Sequence, residues 1–182
     1  SSLPNLTVLS PSSTAEVSKS VEYFFKEKKP IYLRLSSLDK GCEIINPDDL
    51  NVFTNKFINQ DNNKVLIVSS GALLAIIKDQ ILKLNLENKI DLSSICCFSQ
   101  ETLDKLNLRA YEKLYSFDEM VYSGSIAAMM HKYLYENQIS IKYKNFHVDN
   151  YSEVPGGDAN FYRDYFKMSP NKINEFLKKI IS

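Results

Sequence analysis

The feature that most constrains this chain is a change of period inside Leu114–Leu134. Leu114, Ser116 and Asp118 alternate with Tyr115, Phe117 and Glu119, the two-residue repeat of a strand. From Gly124 onward Ile126, Met129, Met130, Tyr133 and Leu134 recur at the spacing of one apolar helix face. The segment therefore predicts a strand that ends in an acidic pair, turns sharply and opens a helix. Ser123, Gly124, Ser125, Ala127 and Ala128 keep the junction small, which lets the helix lie close to a sheet. Such a unit builds scaffold and by itself names no activity.

The same alternation runs through the chain. Leu6–Leu9 reads as a short buried strand. In P-S-S-T-A-E, Ser13 and Glu16 stand three apart, the spacing of a capping box. That predicts a helix to about Lys28 with Val17, Val21, Phe24 and Phe25 facing inward. Pro30 stops it, and Ile31–Leu35 is the next strand, giving a β-α-β unit with parallel strands. Residues 36–63 are rich in Asn, Asp and Pro and lack periodic apolar positions, so they read as a linker. Val65–Val68 is a continuous apolar run, as in strands buried on both faces. Ser69-Ser70-Gly71 is a turn, and Leu73, Leu74, Ile77, Ile81 and Leu84 mark a helix. A strand within Ile90–Phe98, a short helix at Glu101–Leu106 and a strand at Ile141–Phe146 follow. After a long loop, Phe161–Phe166 is read as helical, and Ser169-Pro170 opens a last helix. Alternating strands and helices of these lengths predict an α/β fold: a three-layer αβα domain with a mostly parallel sheet, preceded by a β-α-β tail.

Composition narrows the partners. Twenty-two basic residues balance twenty-two acidic ones among 182, which gives no electrostatic footprint for nucleic acid. No apolar run approaches the roughly 20 residues that span a membrane. The three cysteines, Cys42, Cys96 and Cys97, are odd in number and two are adjacent. They read as reduced thiols in a cytoplasmic protein rather than a disulfide framework, with Cys96 and Cys97 buried. His131 and His147 have no partner at ligand spacing, so no zinc site is expected. The start, S-S-L-P-N, has neither an initiator Met nor a signal core, and reads as a cut from something longer or as the scar of a removed tag.

Six motifs, in order, resemble the carboxy-terminal half of the transketolase family, which includes transketolase, 1-deoxyxylulose-5-phosphate synthase and the beta subunits of 2-oxo acid dehydrogenases. L-P-N-L-T-V-L-S-P-S-S-T-A-E is similar to P-x-L-x-V-x-x-P-x-D-x-x-E at the end of the family's pyrimidine-binding domain, and K-P-I-Y-L-R-L to that domain's closing strand. K-V-L-I-V-S-S-G resembles the strand and turn that open the carboxy-terminal domain. F-D-E-M-V-Y-S-G-S-I-A-A resembles an acidic pair followed by G-G-L-G, F-H-V-D-N-Y the segment G-I-x-D-x-F, and M-S-P-N-K-I the start of the final helix. The resemblance implies that residues 1–38 are the tail of the pyrimidine-binding domain and 39–182 the linker and carboxy-terminal domain. It implies a parent enzyme that uses thiamine diphosphate and magnesium, with this chain holding neither. It also implies upstream domains or a partner subunit, and a homodimer.

Departures from the family pattern matter for function. Where sugar-phosphate members carry a phosphate-binding arginine after the closing strand, this chain has Ser37, which offers one neutral hydrogen bond in place of a charged fork. G-G-L-G is here G-S-I-A, and a frequent His after the acidic pair is Met120. Arg34 matches an arginine found in some members; read from the residues alone, it pairs with a neighbouring carboxylate. Asp118 and Glu119, adjacent in a strand, point to opposite faces and are no acid–base pair. His147 beside Asp149 stands at a strand end. Arg34, Asp118, Glu119, His147 and Asp149 are thus the substrate-facing or interface candidates, and no residue is expected to be catalytic. The alternative to a bracing part of an enzyme is a standalone interaction or regulatory module.

Overall fold

A computed structural model describes residues 5–35, 47–60, 62–150 and 154–181. Its main sheet has five strands in the order β3-β5-β4-β6-β7. These are β3 (Lys56–Ile58), β4 (Val65–Ser69), β5 (Ile90–Ser94), β6 (Lys113–Val121) and β7 (Lys142–Val148). All pairings are parallel except β3 with β5. Every residue of β4 and β5 is buried, as expected for strands covered on both faces.

The pleat divides the core in two. Val65 and Ile67 face α2 (Ala72–Lys83) and α6 (Pro170–Ile181), with Tyr115 and Phe117 beside them. Phe117 stacks on Phe146 at 4.5 Å between ring centres, and Phe176 meets both rings edge-on. Leu66, Val68 and Leu114 face the other way, against α3 (Gln100–Asp104) and α4 (Ile126–Glu136). The αβα expectation holds, and the period change after Glu119 is where β6 gives way to α4.

The amino-terminal unit is a separate two-stranded parallel sheet, β1 (Thr7–Leu9) and β2 (Ile31–Leu33), joined by α1 (Thr14–Lys26). Leu9 forms an isolated antiparallel bridge with Cys97. The Ser10 amide donates to the Cys96 carbonyl at 2.7 Å, and the Phe98 amide to Val8 at 3.0 Å.

Two expectations are corrected. The stripe assigned to the inside of α1 is open: Val17 is half-buried, and Val21, Phe24 and Phe25 are exposed, Phe25 by 80%. The buried positions of this helix are Glu16 and Ser20. Apolar periodicity located a face but not what covers it. The second correction concerns the segment read as linker, which contributes edge strand β3 with Phe57 and Ile58 buried. Three residues are too few to display a period. Asparagines set the approach instead: Asn51 Oδ1 accepts from the Phe53 and Thr54 amides, and Asn55 Oδ1 from the Asn51 amide. The boundary placed at 38/39, together with Ser37 and Cys42, lies outside the described residues.

Candidate functional site at the strand ends

Strand order reverses at β4. The chain leaves β4 for β5 on one side, then returns to β6 on the other. In open α/β sheets the crevice beyond the carboxyl ends of two such strands is where ligands usually sit. Here protein fills it. Ser69 Oγ donates to the Phe117 carbonyl at 2.9 Å, tying the two strand ends together. Gly71 turns the chain into α2 at φ 60° and ψ −147°, a region essentially restricted to glycine. A Cβ there would lie 3.4 Å from Ser10 Oγ, so the β1–α1 connection rests on this turn.

Asp118, only 1% exposed, points into the crevice. Its Oδ2 accepts from the Ile126 amide at 2.8 Å, the first residue of α4, and Oδ1 takes a long 3.5 Å contact from Ser70 Oγ. Ser125 Oγ caps the same helix by accepting from the Ala128 amide. Burial pushes the Asp118 carboxyl up to about 6, although the helix amide and the Arg34 guanidinium both pull it down. Arg34 thus sits within electrostatic reach of Asp118, its backbone N–H donating a hydrogen bond to the Leu9 carbonyl.

Glu119 faces the opposite side, where its carboxylate meets Arg163 of α5 (Ala159–Tyr165) at 2.6 Å. The Arg163 side chain is 9% exposed, so this pair locks the last loop onto β6. His147 Nδ1 contacts Asn145 Oδ1 at 2.7 Å, and Nε2 lies 3.2 Å from Asp149. Its ring packs near Tyr122, which hydrogen-bonds His131. His131 is exposed and also meets Tyr143 edge-on.

The structure therefore gathers Asp118, Glu119, His147 and Asp149 at the ends of adjacent strands, with Arg34 close to Asp118. Each carboxylate already has a protein partner. No three His, Cys, Asp or Glu side chains among the described residues converge as metal ligands. The donor set at this edge, with its carboxylates already held by protein groups, does not fit a metal–diphosphate group.

Sequence reading missed what Glu16 does. Fully buried, it does not reach back to the Ser13 amide as a capping box would. Ser13 Oγ does accept from the Glu16 amide at 3.1 Å, but the Glu16 carboxylate accepts from the Ser12 amide at 2.7 Å, from Asn55 Nδ2 at 2.7 Å and from Ser94 Oγ. It bonds the amino-terminal unit to β5 and to the turn before β3. Burial raises its pKa above the ordinary 4.5, against those hydrogen bonds. The only signal was a carboxylate beside a serine run, which the local capping rule absorbed.

Comparison with known proteins decides the architecture. A split-gene transketolase, solved as an inactive β4 tetramer, superposes with a TM-score of 0.73 over 97% of this chain and 57% of its own, at 16% identity. The fold is that of the transketolase carboxy-terminal domain. A transketolase variant from Pichia stipitis gives a TM-score of 0.69 at 18% identity, covering 97% of this chain and 25% of that one. In sequence, 1-deoxy-D-xylulose-5-phosphate synthase of Francisella philomiragia is 22% identical over 185 residues, 99% of this chain and 29% of the synthase. The chain thus spans under a third of the curated relative it matches. No family model matches it. The transketolase resemblance read from six short motifs is borne out along the whole chain.

Proposed function

We propose that this chain is the carboxy-terminal part of a transketolase-type enzyme that transfers ketol or aldehyde units with thiamine diphosphate. In this reading it braces a subunit contact and the wall of the substrate channel, and the reaction belongs to parts of the parent protein outside these residues. Thiamine diphosphate and magnesium are held there too. The observation that carries the proposal is that transketolase architecture runs through 97% of this chain while taking in 25% of the Pichia stipitis protein. Two further features support it. The carboxylates at the strand ends are tied to protein groups, and Phe24, Phe25, Tyr32 and Leu35 leave the amino-terminal unit open on an apolar side. Upstream domains or a partner subunit cover that side, and the parent is a cytoplasmic homodimer. Zero net charge argues against a nucleic-acid role. Among the described residues, no helix is long and apolar enough to cross a membrane.

Titrating thiamine diphosphate with magnesium into this chain and into the parent protein tests the assignment. The parent should bind saturably and this chain should not. Saturable binding by this chain alone refutes the reading, and a strictly monomeric parent in light scattering refutes the dimer.

A further inference from the structure

The parallel strands of the main sheet all start at a lysine. Lys89 and Lys64 directly precede β5 and β4, and Lys113 and Lys142 are the first residues of β6 and β7. The strands lie in the order β5-β4-β6-β7, and Lys113 pairs with both Val65 and Lys142. The lysines therefore stand side by side along the rim where the strands begin. Neighbouring strands are about 4.8 Å apart, so the row is roughly 14 Å long. Helices α2 and α6 run back to the same rim and end there with exposed Lys83 and Lys178. Lys113 Nζ donates to the Ile180 carbonyl at 3.2 Å, which fixes the end of α6 in place.

Lys64, Lys89 and Lys142 are exposed, and none makes an ion pair with a described carboxylate. Lys83, Lys113 and Lys178 sit at helix carboxyl ends, where a cation complements the dipole. Lys64, Lys89 and Lys142 lie on no helix, so that role is not theirs. Glu87 and Glu112 are the described acidic residues on the segments leading into these strands. Asp118, Glu119 and Asp149 stand at the opposite rim. A chain without net charge is thus polarised from one end of its sheet to the other.

We propose that this lysine rim binds an acidic, extended segment of a partner protein. Lysine ammonium groups are compact point charges on flexible stems. A row of them suits carboxylates repeated along an extended chain, where side chains on one side recur about every 7 Å. A nucleic acid is a long polyanion and meets the carboxylates of a neutral surface as well as its lysines. A short acidic segment meets the rim alone, because charges beyond a Debye length of about 8 Å are screened. The rim is separate from the strand-end site and does not depend on the function proposed above.

Fluorescence anisotropy with labelled hexaglutamate, about 20 Å long when extended, tests the proposal on the intact chain. A labelled oligouridylate of equal charge is the comparison probe. Hexaglutamate should bind saturably, and more weakly as salt is raised. Reversing Lys64, Lys89 and Lys142 together to Glu should weaken it at least about tenfold, since exposed ion pairs are individually modest and only several together carry binding. Reversing Lys26, Lys28 and Lys29, exposed at the end of α1 and beyond it, makes the same change in net charge and should leave the affinity within about twofold. All six positions are exposed, so both variants should keep the parent melting temperature. No saturable binding of hexaglutamate overturns the proposal, as does equal weakening by the two triple variants. Oligouridylate binding as tightly as hexaglutamate overturns the choice of an acidic peptide.

Discussion

Replacing Asp118 by Asn separates two opposed effects at the strand ends. Burial favours the neutral acid, whereas the Ile126 amide and Arg34 favour the carboxylate. Burial wins, because the pKa stands at about 6 against an ordinary 3.8. A group whose folded pKa is raised contributes stability below its unfolded pKa and loses it as pH rises through the folded value. The gap between 3.8 and about 6 amounts to about 3 kcal/mol at roughly 1.4 kcal/mol per pH unit. Asn keeps an oxygen for the Ile126 amide and stays neutral throughout. The stability of Asp118→Asn minus that of the parent should therefore rise by about 2.4 kcal/mol between pH 4 and pH 7, the rest of the gap falling below pH 4. Urea unfolding followed by circular dichroism at several pH values measures it. Glu16 titrates in the same direction in both proteins and cancels in the difference. A flat difference refutes the reasoning. A difference that falls with pH would show that helix amide and guanidinium outweigh desolvation.

Three other perturbations probe the junctions. Glu16→Ala leaves the Ser12 amide, Asn55 amide and Ser94 hydroxyl without their acceptor, and should lower unfolding free energy by about 3–5 kcal/mol; Glu16→Gln should lose distinctly less in the same urea titration. Gly71→Ala forces a side chain into a glycine-only conformation against Ser10, and should lower stability by about 1–3 kcal/mol with a matching drop in melting temperature. Phe25→Asp, on an exposed face, should change the stability of this chain by less than about 0.5 kcal/mol in urea unfolding.

The order of elements was legible because it rests on local rules. Period, caps and breakers located β4, α2, β6, α4 and α6 within a few residues, and the buried run at Val65 announced a strand covered on both faces. The edge strand β3 was not legible. Its register comes from Asx turns and from pairing with β5, neither of which leaves a periodic trace. Among the site candidates, the opposite facing of Asp118 and Glu119 followed from the pleat. Their partners did not, because Ile126, Arg34 and Arg163 reach them only once the sheet is assembled.

By itself the sequence determined the strands and helices other than β3, since those preferences act between residues a few positions apart. Tertiary structure alone decided that α1 turns Glu16 and Ser20 inward and leaves Phe24 and Phe25 open. The reason is physical: a carboxylate can be buried only where several donors converge. Here Asn55 and Ser94 lie 39 and 78 positions away, a separation no local pattern can encode.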